Sequence, residues 1–277
     1  MIAAQTMDII GKARSSKEGV GAFNVVLIEH AEAIVTGAER AGRPVVLQIS
    51  QNAAVYHGAF VPIAAAALEL AQAAEVPVIV HLDHAEDVDL VHKAVRAGVG
   101  SVMFDGSSLP YEENVRVTRE VAIFCHDHGV TVEAELGEIG GKDGVHAPGA
   151  RTRPDEAAAF VEATGVDTLA VAVGTSHAMT SRVATVDREL IGELAAAVGV
   201  PLVLHGSSGL SDEELAAAVQ AGMTKINIST HLNALFTQSV REALDRNPEM
   251  VDARRYLKPA RESMAAEVAR LTELLAG

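Results

Sequence analysis

Residues 76–98 read VPVIVHLDHAEDVDLVHKAVRAG. The opening run of valine and isoleucine is typical of a strand buried on both faces. It ends in histidine, leucine, aspartate and histidine, and the chain then turns at once into a helix. Period-two alternation puts His81 and Asp83 on one strand face and His84 on the other. For Asp83 and His84 to serve one site, the strand must break its geometry at His84, and a tight turn into AEDVDLV would supply the break.

The same unit of apolar run and helical stretch recurs along the chain. Strand candidates are GAFNVV (21–26), PVVLQIS (44–50), VPVIVHLDH (76–84), SVMFDGS (101–107), TVEAELG (131–137), TLAVAVG (168–174), PLVLHGS (201–207) and KINIST (225–230). Helices fit between them. In LSDEELAAAVQAG, Ser211 is the N-cap, Glu214 closes a capping box and Gly222 ends the helix. Eight such units predict an α/β fold, a (β/α)8 TIM barrel, as one domain over residues 1–277 with additional terminal helices. A doubly wound open sheet usually carries a glycine-rich turn after its first strand, and none is present here.

Composition narrows the function. Among 277 residues, 22 lysines and arginines face 37 aspartates and glutamates, giving a net charge of −15 that repels nucleic acid and anionic lipid. Aromatic residues make up 3%, too few to stack on bases. A lone cysteine, Cys125, and an opening MIAAQTMDIIGKARSS without a cationic start and apolar core point to the cytoplasm, with no membrane partner.

A barrel collects its strand ends on one face, and nearly every candidate strand ends in a polar residue: Asn24, Ser50, Asp83 with His84, Asp105, Glu135, His177, His205 and Asn227. His84, His177 and His205 are candidates to bind one divalent ion, in the pattern of three protein ligands and an open position. Asp105 and Glu135 would form a second metal position, orient the histidines, or make ion pairs inside the barrel. The other histidines, His81 apart, lie on helices or loops, where solvated or capping roles fit. The loop HGSSGLSDEEL (205–215) offers small residues and a helix N-terminus to a phosphate, and NIST (227–230) ends the next strand beside it.

Taken together, HLDHAED, SVMFDGS, VEAELGEIGG, LAVAVGTSH, VPLVLHGSSGL, KINIST and DARRYLKPARESM resemble the zinc-dependent class II ketose-bisphosphate aldolases, the group of fructose-bisphosphate and tagatose-bisphosphate aldolases. The resemblance runs through essentially the whole chain in order. It implies reversible cleavage of a ketose phosphate, with fructose 1,6-bisphosphate as the first choice and tagatose 1,6-bisphosphate as the alternative. It also implies Zn2+ on His84, His177 and His205, with Asp105 and Glu135 at a second cation position. Asp83 would be the general acid and base. Gly206, Ser207, Ser208, Asn227, Ile228, Ser229 and Thr230 would bind the phosphate of dihydroxyacetone phosphate, and Asn24 and Ser50 would line the substrate. Arg254, Lys258 and Arg261 match a region that supplies cations for the other phosphate, across the interface of a homodimer or homotetramer.

The chain departs from the family at several places, among them MTSRVATVD (179–187), which lacks the usual tyrosine and lysine, and Ser229, where fructose-type enzymes tend to have aspartate and tagatose-type enzymes alanine. Ala178 stands where glycine is common, Ser207 where glycine or alanine is usual, and the loop after strand 5 holds Asp143 beside Lys142 in place of the family's acids. Three rival readings keep the barrel: a Schiff-base aldolase using Lys225, which begins the last candidate strand away from the rim; a zinc hydrolase, which would want a His-x-His pair closing strand 1 where AFNVV has none; and a non-catalytic sugar-phosphate binding protein.

Overall fold

The computed structural model describes residues 2–136, 151–175 and 182–277. Eight parallel strands close a barrel in chain order: β1 (Val20–Asn24), β2 (Val45–Ser50), β3 (Val78–Ala85), β4 (Ser101–Phe104), β5 (Thr131–Leu136), β6 (Thr168–Val171), β7 (Leu202–Leu204) and β8 (Met223–Ile228). Pairing of β1 with β8 completes the circle. Helices cover the outside, and the terminal additions are the helix Ile2–Ser16 before β1 and the helices Thr230–Arg246 and Ala253–Ala276 after β8. The predicted barrel is therefore the observed one.

Strand bounds differ from the sequence reading mainly at the carboxyl ends. The candidate strands at 101–107, 168–174 and 201–207 run past Phe104, Val171 and Leu204, where the chain leaves the sheet to carry polar residues over the rim. β8 starts two residues earlier than predicted, so Lys225 sits inside the strand and not at its beginning.

The helix Ile2–Ser16 closes the opposite end. Its Ile10 and Ala13 join a small apolar cluster with Val20, Ala22, Val46 and Ile79, and Arg14 donates to the carbonyls of Val198 and Gly199. Glycine sets another contact: a Cβ on Gly37 would lie 2.6 Å from the Ala265 carbonyl, so its absence lets helix Ile28–Ala41 press on helix Ala253–Ala276.

His30, read from sequence as solvated or capping, is a buried cap. Its Nδ1 accepts from the Val26 N–H at 3.4 Å, and its ring meets Phe236 edge-on at 4.6 Å. Burial lowers its pKa to about 4 against the opposing pull of Glu29. Between the unfolded value near 6.5 and about 4, the unfolded chain takes up a proton that the folded chain refuses. Stability is therefore expected to fall by roughly 2–3 kcal/mol as pH drops through that window. Denaturant midpoints at pH 7 and pH 4.5, compared with those of His30→Gln, check this; an equal pH dependence in the two proteins would contradict it.

Candidate active site at the carboxyl rim

β3 delivers two neighbouring side chains to one place by means of a bulge. Leu82 pairs with Val102 and Ala85 with Phe104, so Asp83 and His84 together face the single residue Met103. His84 has φ +47, in the left-handed region that L-residues rarely occupy. The geometry does break at His84, as the shared site requires, but inside a strand that continues to Ala85 and not at a turn.

The rings of His84 and His205 lie edge-on with centroids 4.7 Å apart. Asp83, His84 and His205 each bring a ligand atom into a group within 4.8 Å of one another, and His84, Asp105 and Glu135 form a second such group. His84 Nδ1 is 2.7 Å from Asp105 Oδ2. His205, one residue past β7, stands between two carboxylates, with Nε2 3.0 Å from Glu133 and Nδ1 3.2 Å from Glu135. Burial lowers the His205 pKa, and the bonds to Glu133 and Glu135 raise it further, to about 9. His177 and Ala178 lie outside the described residues, as do Lys142 and Asp143.

Asp83 is buried and accepts from Asn24 Nδ2 at 3.2 Å, while Asn24 Oδ1 accepts from Gln48. Burial raises the Asp83 pKa, but His84, Lys225, His205 and His81 outweigh it and hold the carboxyl down at about 2. It is thus ionised. Its Oδ1 has no hydrogen-bond partner among the described residues, and neither has Asn227 Oδ1. Buried oxygens left this way suit a site that receives a cation or a substrate hydroxyl.

Beneath the rim lies a layer that the sequence reading missed. Lys225 Nζ is 2.9 Å from Glu133, which holds His205 from the other oxygen, and His81 Nδ1 is 2.8 Å from Ser101 Oγ. Burial lowers the His81 pKa to about 3, so that ring is neutral. Alternation along β5 and β8 places Glu133 with Glu135 and Lys225 with Asn227, a signal visible in EAE and KIN. A lysine paired with a carboxylate inside the barrel is poorly placed for the Schiff-base route.

The expected phosphate end is compact. Gly206 adopts φ +67 and leads into a short 3-10 turn, Ser207–Gly209. The Ser207 hydroxyl turns inward and donates to the Leu204 carbonyl. Ser208 Oγ accepts from the Ser229 N–H at 3.2 Å and joins the two loops, while buried Ile228 ends β8 and Thr230 opens the next helix. Ser50 caps the short helix after β2 by accepting from the Ala53 N–H. Arg254, Lys258 and Arg261 lie on the outer helix Ala253–Ala276, where Arg254 pairs with Asp252 and Arg261 with Glu32.

Thr152 ties the ends of β5 and β6: its hydroxyl donates to the Leu136 carbonyl at 2.9 Å and accepts from the Ala172 N–H at 2.8 Å. Thr152→Val leaves both backbone groups without this partner, so a loss of about 1–3 kcal/mol in urea unfolding is expected. A variant within experimental error of the native protein would argue that other groups satisfy them.

Comparison with known proteins gives this arrangement a class, the class II aldolases, which are carbon–carbon lyases. The chain belongs to the family described as fructose-bisphosphate aldolase class-II, matched over residues 4–277. Its reaction is the aldol cleavage of a ketose bisphosphate. It is 40% identical to a fructose-bisphosphate aldolase of Thermus caldophilus, over 97% of this chain and 96% of the relative. Among solved structures it is similar to the YdjI aldolase of Escherichia coli K12, with 32% identity, a TM-score of 0.85, and coverage of 98% and 96% of the two chains. The fructose-bisphosphate aldolase of Campylobacter jejuni, at 24% identity, TM-score 0.81 and coverage of 98% and 93%, shares the fold.

Proposed function

We propose that this chain, as one domain, cleaves fructose 1,6-bisphosphate reversibly to dihydroxyacetone phosphate and glyceraldehyde 3-phosphate, using zinc on His84, His177 and His205. The carrying observation is the ionised Asp83 carboxylate, with one oxygen fixed by Asn24 and the other without a hydrogen-bond partner among the described residues, in the same cluster as His84 and His205. Nitrogen and oxygen donors on buried, oriented side chains suit zinc, and Glu133 orients His205 from behind. Asp105 and Glu135, with His84, suit a second cation.

Zinc, when bound, supplies a Lewis acid for the negative charge that develops as the carbon–carbon bond breaks, a contribution of several kcal/mol. The chain's own groups do the rest. Asp83 takes the proton from the hydroxyl that becomes the aldehyde oxygen and returns it in condensation. Asn24 keeps that carboxylate aimed, and Ser50 lines the substrate. Gly206, Ser207 and Ser208, with Asn227 to Thr230, hold the phosphate of the dihydroxyacetone phosphate half through backbone N–H groups and hydroxyls. Arg254, Lys258 and Arg261 meet the other phosphate from the neighbouring subunit of a homodimer or homotetramer. A cytoplasmic location fits a sugar-phosphate substrate, and no described helix is long and apolar enough to cross a membrane.

The test is to incubate zinc-loaded protein with fructose and tagatose bisphosphates and their monophosphates and to measure dihydroxyacetone phosphate. Release is expected to be fastest from fructose 1,6-bisphosphate, to stop on chelation and to return with zinc. Undiminished release after exhaustive chelation, or a borohydride-trapped lysine adduct, would defeat the proposal.

A further inference from the structure

The loop after β7 is held from behind by a chain of charged residues. Arg182 Nε donates to the Leu210 carbonyl at 2.5 Å, and its Nη2 donates to Asp212 at 2.7 Å. The same segment continues the grip: the Ala184 N–H donates to the Gly209 carbonyl at 2.9 Å, the Val186 N–H donates to Glu214 at 3.1 Å, and Arg188 pairs with Glu214. Glu214 is therefore spent on this segment and does not close the capping box predicted for its own helix. Ser211 still caps that helix by accepting from the Glu214 N–H.

From Asp212 the chain of charges runs on. Arg270 donates to Asp212 at 2.5 Å and to Glu267 at 2.9 and 2.8 Å, and Glu267 lies 2.7 Å from His231. His231 follows Thr230, whose neighbour Ser229 donates its N–H to Ser208. The contacts thus form a ring: Arg182 to the first phosphate loop, then through Asp212, Arg270, Glu267 and His231 to the start of the helix after β8, and back through Ser229 to Ser208. Isolated surface ion pairs contribute little, but linked, half-buried pairs are held in one geometry by their neighbours, and Asp212 takes two guanidinium groups at once.

We propose that Arg182 and Asp212 are positioning residues for the phosphate end of the substrate: by fixing Leu210, whose own N–H closes the turn on the Ser207 carbonyl, they hold the N–H groups of residues 207–209 at the spacing a phosphate requires. Neither residue touches the reacting atoms. Their effect is on binding shared by substrate and transition state, so it falls on KM and not on kcat. The inference rests on the aldolase reading for the identity of the substrate, but not for the affinity of the loop for phosphate.

The experiment compares native protein, Arg182→Met, Arg182→Lys and Glu267→Gln, all full-length and zinc-loaded, in two measurements: steady-state cleavage of fructose 1,6-bisphosphate, and calorimetric titration with inorganic phosphate. Arg182→Met is expected to raise KM about ten-fold, the change that ~1.4 kcal/mol gives, and to weaken phosphate by a similar factor, with kcat within about two-fold of native. Arg182→Lys, which keeps the charge and loses the two-point fork, is expected to recover only part of this. Glu267→Gln, three links from Arg182, is expected to shift KM and phosphate affinity by about three-fold in the same direction. KM and phosphate affinity within two-fold of native in Arg182→Met would overturn the proposal, as would a fall in kcat with KM unchanged. If Arg182→Met does not fold, Glu267→Gln decides by the same criteria. A native protein that releases no triose defeats the aldolase reading alone, and the phosphate titration still judges the ring of contacts.

Discussion

Asp83→Ala is expected to lower kcat for ketose-bisphosphate cleavage by about 10²–10⁴, the usual value of a positioned acid and base. Metal content per chain is expected to stay at the native level. The carboxylate is buried and ionised, and Asn24 holds one of its oxygens. Removing it leaves the imidazoles of His84 and His205 where they are, so zinc uptake should persist while the proton loses its acceptor. Asp83→Asn refines the test: it keeps the volume and removes the basicity, so it should be nearly as impaired as the alanine variant. Metal analysis beside the rate assay separates the two roles open to Asp83, which also lies within ligand reach of His84 and His205. If zinc and activity disappear together, Asp83 is a ligand; if turnover stays near native, the acid and base is elsewhere.

His205→Ala is expected to do more, because His205 serves both the site and the barrel interior. Loss of one of three proposed zinc ligands should reduce kcat to background at ordinary metal concentrations. Independently, chelated His205→Ala should unfold about 3–5 kcal/mol more easily than chelated native protein. The reason is its place between Glu133 and Glu135, with all three side chains buried. Glu133 keeps Lys225, but Glu135 loses the cation at 3.2 Å, so the buried pair of carboxylates has less positive charge around it. Adding Glu135→Gln to the variant should recover part of the loss, since a neutral amide in that place no longer needs the imidazole, while Glu133 stays ionised beside Lys225. Equal denaturant midpoints for native and variant, both free of metal, would show that His205 carries no structural weight.

Much of the rim could be read from the chain alone, because a parallel barrel converts the end of each apolar run into a position on one face. Asn24, Asp83, Glu135 and Asn227 close or nearly close their strands, and Asp105 and His205 follow theirs by one residue. Even the break at His84 could be foreseen, since two adjacent side chains cannot share a face of a regular strand. The interior layer could not. His205 and Glu133 are 72 positions apart, and nothing in either local pattern names the other. Lys225 is the one cation in β8, and its purpose emerges only when closure brings β8 and β5 to the same depth. Glu214 shows the opposite error: its spacing from Ser211 fits a cap, and a stronger claim from Val186 and Arg188 across the loop takes it away.

The bulge in β3 bears on how this enzyme tolerates motion. Asp83 and His84 sit on consecutive α-carbons, about 3.8 Å apart across one planar peptide. In the proposed mechanism the α-carbons of the proton acceptor and of one zinc ligand are therefore spaced by covalent bonds, whereas in most sites such a spacing depends on how two separate elements pack. Heating, breathing of the barrel or substitutions in distant helices can tilt the pair as a unit but cannot draw its two α-carbons apart. The left-handed backbone at His84 costs roughly 1–2 kcal/mol, a fixed toll for a built-in yardstick that survives wherever the strand itself survives.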